Sequence, residues 1–263
     1  MTETAMAWRI IIIGDEIMRG KRQDKHFARV ISILGERGLH LDAALYLGDD
    51  RPRLTAALAD SFATQDVVFC FGGIGATPDD HTRHAAAAAL GVDLLLHPEA
   101  EVEIRARFAE VGVEPTSERM ALGEFPAGSR IIPNPYNRIP GFSCAQHHFF
   151  PGFPQMAHPM LEWVLDSDYR EHFHQLAEAE AAIIVWEGSE GTLLPLMRSI
   201  EADYASITVF SLPALATGTS RSYIELGVRG EPQQVVAALQ AICSEVTRLG
   251  YIWERPTAKP AVK

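Results

Sequence analysis

The chain has 263 residues, 47% of them hydrophobic, enough for one large domain or two small ones with a real core. Its 23 basic and 34 acidic side chains give a net charge of −11, which argues against nucleic acid or an anionic membrane as partner. Cys70, Cys144 and Cys243 are too few and too scattered for a disulfide framework or a thiolate zinc site, and they fit a reducing compartment. Residues 1–7 lack the basic-then-apolar pattern of a leader, and no stretch nears the roughly 20 apolar residues of a membrane span. The expected setting is the cytoplasm and the expected partner a small molecule.

Taken in order, residues 8–13 carry four successive isoleucines and read as a strand buried on both faces. Gly14-Asp15-Glu16 ends it in a turn, and the basic cluster Arg19, Lys21, Arg22 and Lys25 follows. Asp24 is placed to cap a helix over 25–37 that buries Phe27, Val30, Ile31 and Leu34. A second strand over 39–47 ends in Gly48-Asp49-Asp50, and Pro52 opens a helix to 62. A third strand, 66–71, runs into a loop holding Gly72, Gly73, Ile74, Gly75 and Thr77-Pro78-Asp79-Asp80. An alanine-rich helix then reaches Leu90. A short strand over 92–96 and a helix from Pro98 to 111 come next. Strands alternating with helices predict an α/β fold: a mostly parallel sheet sandwiched by helices.

Residues 114–152 are rich in Pro and Gly, with a hairpin expected from 139–144 and 146–150. Pro151-Gly152-Phe153-Pro154 turns into a helix over 154–165. The pattern then becomes β-α-β-β-α, with strands at 180–186, 206–210 and 221–229 and helices at 192–204 and 231–249. That order suits a small α+β split-βαβ domain. The expected organisation is an α/β domain over 1–167, a small domain over 168–254 and a flexible tail over 255–263.

Three strand ends carry glycine plus acid: Gly14-Asp15-Glu16, Gly48-Asp49-Asp50 and the loop 72–80. In an open α/β sheet the ligand crevice lies at the carboxyl ends of the strands, so three acidic clusters share one rim. A glycine loop between strand and helix presents N–H groups to a phosphate. The acids would repel that phosphate unless a cation lies between. Asp80, with Asp49 or Asp79, can hold Mg²⁺ or a similar hard cation that polarises a phosphoryl oxygen and activates water. Asp15 or Glu16 completes the metal shell or acts as base, and the spacing does not choose between these roles. Each feature also has a structural use. Thr77, Pro78 and Asp80 fit the first positions of a capping box. Asp49-Asp50 can cap the next helix, Asp15-Glu16 can be a solvated turn, and the basic cluster a solvated face. His147 and His148, adjacent on a strand, point to opposite faces and do not chelate together.

The segments Gly14-Asp15-Glu16-Ile17-Met18-Arg19-Gly20, Gly48-Asp49-Asp50, Gly72 through Thr82, Asn134-Pro135 with Pro140-Gly141-Phe142, and Pro151-Gly152-Phe153-Pro154 resemble the molybdopterin-binding domain family (MoaB/Mog-like). Within it they look most like the N-terminal domain of the competence/damage-inducible (CinA) type. The resemblance implies a homodimer or homotrimer and a site for molybdopterin or a nucleotide diphosphate, sometimes with a divalent metal. It carries Asp49 and Asp80 onto the acidic positions regarded as catalytic in Mog-type proteins. Candidate ligand contacts are Gly72, Gly73, Ile74, Gly75, Thr77, Asn134, Pro140, Gly141 and Gly152. Candidate metal ligands are Asp15, Glu16, Asp79 and Asp80. Asp79 stands where Mog-type proteins usually have arginine, which favours a metal-carboxylate site over ATP-dependent adenylylation; the resemblance to the CinA type implies metal-dependent hydrolysis of an ADP-ribose-like pyrophosphate. Asn137-Arg138-Ile139 departs from the small-residue segment usual in the CinA type and leaves the substrate open. The alternatives are a non-catalytic molybdopterin- or nucleotide-binding module, or a molybdenum cofactor biosynthesis protein.

Overall fold

A computed structural model describes residues 6–175, 178–217 and 221–256. The chain forms two compact units, Met1–Gln175 and Leu176–Lys263. In the first unit, β1 (Trp8–Ile13), a four-residue helix α1 (Asp15–Met18), α2 (Phe27–Gly35), β2 (Ala43–Leu47), α3 (Arg51–Phe62), β3 (Val67–Phe71) and α4 (Thr82–Leu90) come first. They are followed by β4 (Leu94–Leu96), α5 (Pro98–Glu110), α6 (Ser117–Met120), β5 (Glu124–Pro126), β6 (Arg130–Ile132), β7 (Gly141–Cys144), β8 (His147–Phe150) and α7 (Pro154–Asp168). The main sheet has the order β2-β1-β3-β8-β7-β6. Its first four strands are parallel, and the β7–β8 hairpin and β6 extend it antiparallel.

The isoleucine run explains the sandwich. Side chains alternate across a strand, so Ile10 and Ile12 face one layer and Ile11 and Ile13 the other. Ile10 and Ile12 pack with Phe69, Phe71 and the buried faces of α2 and α7. Ile11 and Ile13 pack with Val68, Cys70 and residues of α3, α4 and α5. With apolar contacts on both sides, β1 and β3 are the fixed planks from whose carboxyl ends the acidic turns project.

Several elements differ from expectation. The turn after β1 is helical, as α1. Helix α2 begins at Phe27, because the Asp24 carboxylate accepts from the His26 and Phe27 N–H groups (2.7 and 3.1 Å) and holds the chain short of a helical turn. Its buried face is Val30, Ile33 and Leu34; Phe27 and Ile31 are 39% and 45% exposed. Strand β4 leaves the main sheet and pairs antiparallel with β5. The hairpin forms as expected, with His147 and His148 on opposite faces. His147 pairs with Ser61 (2.7 Å), and His148 pairs with Ser143 and Tyr169 (2.8 Å each). The boundary between units falls beyond Ser167. Tyr169 joins the first core, Phe173 packs against it, and the His174 N–H donates to the Arg37 carbonyl (3.0 Å).

The second unit comprises β9 (Ala179–Trp186), α8 (Glu190–Asp203), β10 (Ile207–Ala214), β11 (Tyr223–Gly230), α9 (Pro232–Arg248) and β12 (Trp253–Glu254). Its sheet order is β10-β11-β9-β12. Strand β11 lies antiparallel between β9 and β10, which is the split-βαβ arrangement. The two-residue β12 is an addition to the expected elements. Most of the expected tail, from 257 onward, lies outside the described residues. Among the described residues, no helix is long and apolar enough to cross a membrane.

The buried histidines set an acid limit on stability. Burial is the main cause lowering the pKa of His147 to about 4 and that of His148 to about 3. Both are neutral in the fold and take up a proton on unfolding below the ordinary value of 6.5. Their contribution to stability is therefore full above pH 6.5 and is lost as pH falls towards 4 and then 3. For His147 the loss is up to roughly 3 kcal/mol, at about 1.36 kcal/mol per pKa unit. Urea unfolding of His147→Gln, which keeps a partner for Ser61, is expected to lose less stability between pH 7 and 4.5 than the wild type. Parallel losses in the two proteins would assign the acid limit elsewhere.

Candidate functional site

The site is built where β1, β2 and β3 end side by side. After β1, the Asp15 N–H donates to Asp49 Oδ2 (2.7 Å), and the Asp49 N–H donates back to Asp15 Oδ1 (3.3 Å). This reciprocal pair ties the first two acidic turns together. Gly48 is required beside it, since a Cβ there would sit 2.5 Å from Asp15 Oδ1. The second Asp15 oxygen is held by Arg19 at 2.5 Å. Asp50 is separate. Its side chain accepts from the Arg53 N–H (3.0 Å) and caps α3, so of the two adjacent acids one is structural and Asp49 faces the cleft.

The third turn is the glycine loop. Gly72 (φ 105°) and Gly73 (φ 68°) take left-handed backbone conformations that other residues resist. A side chain on Gly72 would strike the Ile13 carbonyl, and one on Gly73 would strike the Thr82 hydroxyl. The loop's carbonyls are drawn back towards the first turn of α4. The Thr82 hydroxyl donates to the Gly72 carbonyl (3.0 Å) and the Thr82 N–H to the Gly73 carbonyl (2.9 Å). Arg83 Nη2 donates to the Gly75 carbonyl (2.7 Å). In a planar trans peptide the N–H points opposite to the C=O, so these bonds turn the next N–H groups outward. Among the described residues, the N–H groups of Gly73, Ile74, Gly75 and Ala76 have no hydrogen-bond partner. Consecutive free amides of this kind form an anion-binding concavity.

Thr77-Pro78-Asp79-Asp80 does not cap a helix, because α4 starts at Thr82. It closes a turn of its own. The Asp80 N–H donates to the Thr77 carbonyl (3.0 Å), and the Thr77 N–H donates to Asp80 Oδ2 (2.8 Å). The Thr77 hydroxyl lies 2.5 Å from both Asp79 Oδ1 and Asp80 Oδ2. It has one proton for two carboxylates, so the turn carries more negative charge than its own donors offset. Both Thr77 bonds fall on Asp80 Oδ2, leaving Oδ1 open.

These groups line one cavity of about 350 Å³, which holds Glu16, Asp49, Asp79, Asp80, Arg22 and the loop from Gly72 to Thr77. Its electrostatics confirm that the three turns converge. The Asp49 pKa is raised, first by burial and then by the charges of Asp15, Glu16 and Asp79, against the lowering effect of the Asp15 N–H bond. Asp79 is lowered, chiefly by its bond from Thr77. Gly152 joins the cavity wall against Gly72, and its carbonyl pairs with His26 Nε2 (3.2 Å). Asn134 and Pro140 line a smaller neighbouring cavity of about 150 Å³ with Ile74 and Gly75. The Asn134 amide is spent on its own loop, donating to Asn137 and Ile139 and accepting from Tyr136 (2.8–3.0 Å). Gly141 lies inside β7, where a side chain would strike the Phe149 carbonyl; its smallness serves packing.

Asp15, Glu16, Asp79 and Asp80 do not form a cage. Among the described residues, no group of three or more His, Cys, Asp or Glu side chains is placed to hold a metal ion by itself. The all-carboxylate donor set nevertheless suits a hard cation. Mg²⁺ keeps its waters and is commonly bound through one or two carboxylates together with substrate phosphates. Thr82 and Arg83 escape a reading by composition. Both are fully or nearly buried, and both act through the loop carbonyls. The available signal was their place at the start of a helix, one residue beyond the paired acids.

Residues 9–172 match the family model described as a probable molybdopterin binding domain. A CinA-like protein of Syntrophotalea carbinolica is 34% identical over 188 residues, covering 69% of this chain and 45% of that protein. A second, from Geobacter sp. strain M21, is 35% identical over 171 residues, covering 62% of this chain and 41% of that protein. The chain thus spans less than half the length of these relatives. The crystal structure of a CinA protein of unknown function from Thermoplasma acidophilum superposes with a TM-score of 0.55 at 25% identity, covering 61% of this chain and 97% of its own. The matched window runs from β1 through α7 and contains every residue of the cleft. On these grounds the chain belongs to the probable molybdopterin-binding domain family.

Proposed function

We propose that the first unit binds a nucleotide- or pterin-derived diphosphate and hydrolyses its phosphoanhydride bond with the help of a divalent cation, ADP-ribose-like compounds being the preferred class. The observation that carries this reading is the pairing, in one cavity, of four free N–H groups at residues 73–76 with the carboxylates of Glu16, Asp49, Asp79 and Asp80. The N–H groups hold one phosphate. Asp49 and the open oxygen of Asp80 face the side where a cation would sit, with Glu16 and Asp79 adding charge. Mg²⁺ or a similar ion, when bound, neutralises and polarises the phosphoryl oxygens.

Asp49 is the group suited to take the proton from the attacking water, because its raised pKa makes it a better base than an ordinary aspartate. The water oxygen bonds to phosphorus, the bridging P–O bond breaks, and two monophosphates leave. A second reading, binding and delivery of the ligand without chemistry, is favoured by one observation: the carboxylates form no preassembled metal cage among the described residues.

Incubation with ADP-ribose and Mg²⁺, Mn²⁺ or Co²⁺ is expected to release AMP and ribose 5-phosphate. Asp49→Asn and Asp80→Asn are each expected to lower kcat about a hundredfold or more. Absence of turnover with every cation contradicts the hydrolase reading. Saturable pterin or nucleotide binding that persists in Asp80→Asn, without turnover, would then select the binding module. The pH profile offers an independent check. The carboxylate form of Asp49 is present above its raised pKa, so kcat/KM, which reports the free protein, is expected to fall with decreasing pH above the ordinary aspartate range. Glu16→Gln removes one facing charge and should move that acid limb to lower pH; an unmoved limb would detach it from Asp49.

A further inference from the structure

Behind the glycine loop lies a buried cation with no carboxylate partner. Arg83 is 3% exposed. Its guanidinium donates to three backbone carbonyls: Gly75 (2.7 Å), Glu124 (3.2 Å) and Ala121. Among the described residues it makes no ion pair, although Glu124 and Asp80 favour its charged form against the lowering effect of burial. A buried charge is costly unless it is well hydrogen-bonded, so a position needing only packing would take an apolar residue. The two sides of the loop explain its use. Ala76, Thr77 and Asp80 line both the acidic cavity and a second, adjoining cavity, whereas Arg83 lines only the second. By holding the Gly75 carbonyl from the side of the second cavity, Arg83 turns the Ala76 N–H of the same peptide the opposite way, towards the acidic cavity.

We propose that Arg83 is a positioning residue for phosphate binding: it fixes the Gly75–Ala76 peptide so that the Ala76 N–H meets the diphosphate, and it adds to Arg22 a second positive charge, beneath a site whose charged lining is mainly carboxylate. This rests on the reading of residues 73–76 as a phosphate cradle. Thr82 holds the Gly72–Gly73 and Gly73–Ile74 peptides independently, so the effect of Arg83 is local to one end of the loop.

The test is titration of the ¹⁵N-labelled chain with inorganic pyrophosphate and Mg²⁺, following individual amide signals. In the wild type, the Gly73, Ile74, Gly75 and Ala76 signals should move saturably. In Arg83→Met, which keeps length and removes every donor, the midpoint should rise about tenfold or more. The Ala76 signal should stop responding while Gly73 and Ile74 still move. Arg83→Lys, which keeps the charge and one donating group, should fall between. A merely structural role would lower the thermal midpoint without separating Ala76 from its neighbours. An Arg83→Met protein that binds with the wild-type midpoint and pattern overturns the proposal. If that variant does not fold, wild-type behaviour of Arg83→Lys does so instead. If pyrophosphate moves none of the wild-type loop signals, the phosphate-site reading fails first, and the role of Arg83 fails with it.

Discussion

The site depends on which way three peptide groups face. Thr82 and Arg83, consecutive residues at the start of α4, take the carbonyls of Gly72, Gly73 and Gly75. Their opposite N–H groups are thereby left towards the cavity. Everything else serves that orientation. The buried isoleucine and aromatic strands fix where the loop begins, and the glycines allow its backbone to turn. Helix α4 supplies the donors from a rigid element. A loop held this way needs no rearrangement on meeting an anion, which is the general requirement for an electrostatic site to act at the moment of reaction.

The same rim carries a conflict that a structural account of the turns leaves unexplained. Asp15 and Asp49 latch the first two turns through backbone N–H bonds, and Asp50 caps α3; these uses are purely architectural. Glu16, Asp79 and the open oxygen of Asp80 add negative charge towards the cavity, and Arg22 in its lining offsets only part of it. Burial and these neighbours raise the Asp49 pKa. The neighbouring charges disfavour the ionised form of Asp49, an effect that a cation or a proton would relieve. Paired with free amides, that arrangement is what the proposed binding of an anion together with a cation would use.

Much of this was legible in the residues themselves. Four β-branched isoleucines in a short run favour a two-sided buried strand, and glycine-plus-acid at three strand ends marks the rim in the sequence itself. What could not be read is what depends on distant carbonyls. Arg83 looks like an ordinary helix arginine until residues 121 and 124, 38 and 41 positions away, fold against it. The Thr77–Asp80 segment has every local mark of a capping box. It closes a separate turn because the helix is instead started at Thr82 by its bonds back to the glycines. Likewise, residues 169–175 belong to the first unit through contacts of Tyr169 with His148, His172 with Trp8 and His174 with Arg37, none of them near in sequence.

The most direct measurement is a crystal structure with Mg²⁺ and an ADP-ribose analogue whose bridging oxygen is replaced by methylene. The diphosphate is expected to lie within hydrogen-bond distance of the Gly73–Ala76 N–H groups, with the cation between it and the carboxylates of Asp49 and Asp80. A diphosphate bound away from that loop, or bound there with no cation at the acidic rim, would contradict the assignment.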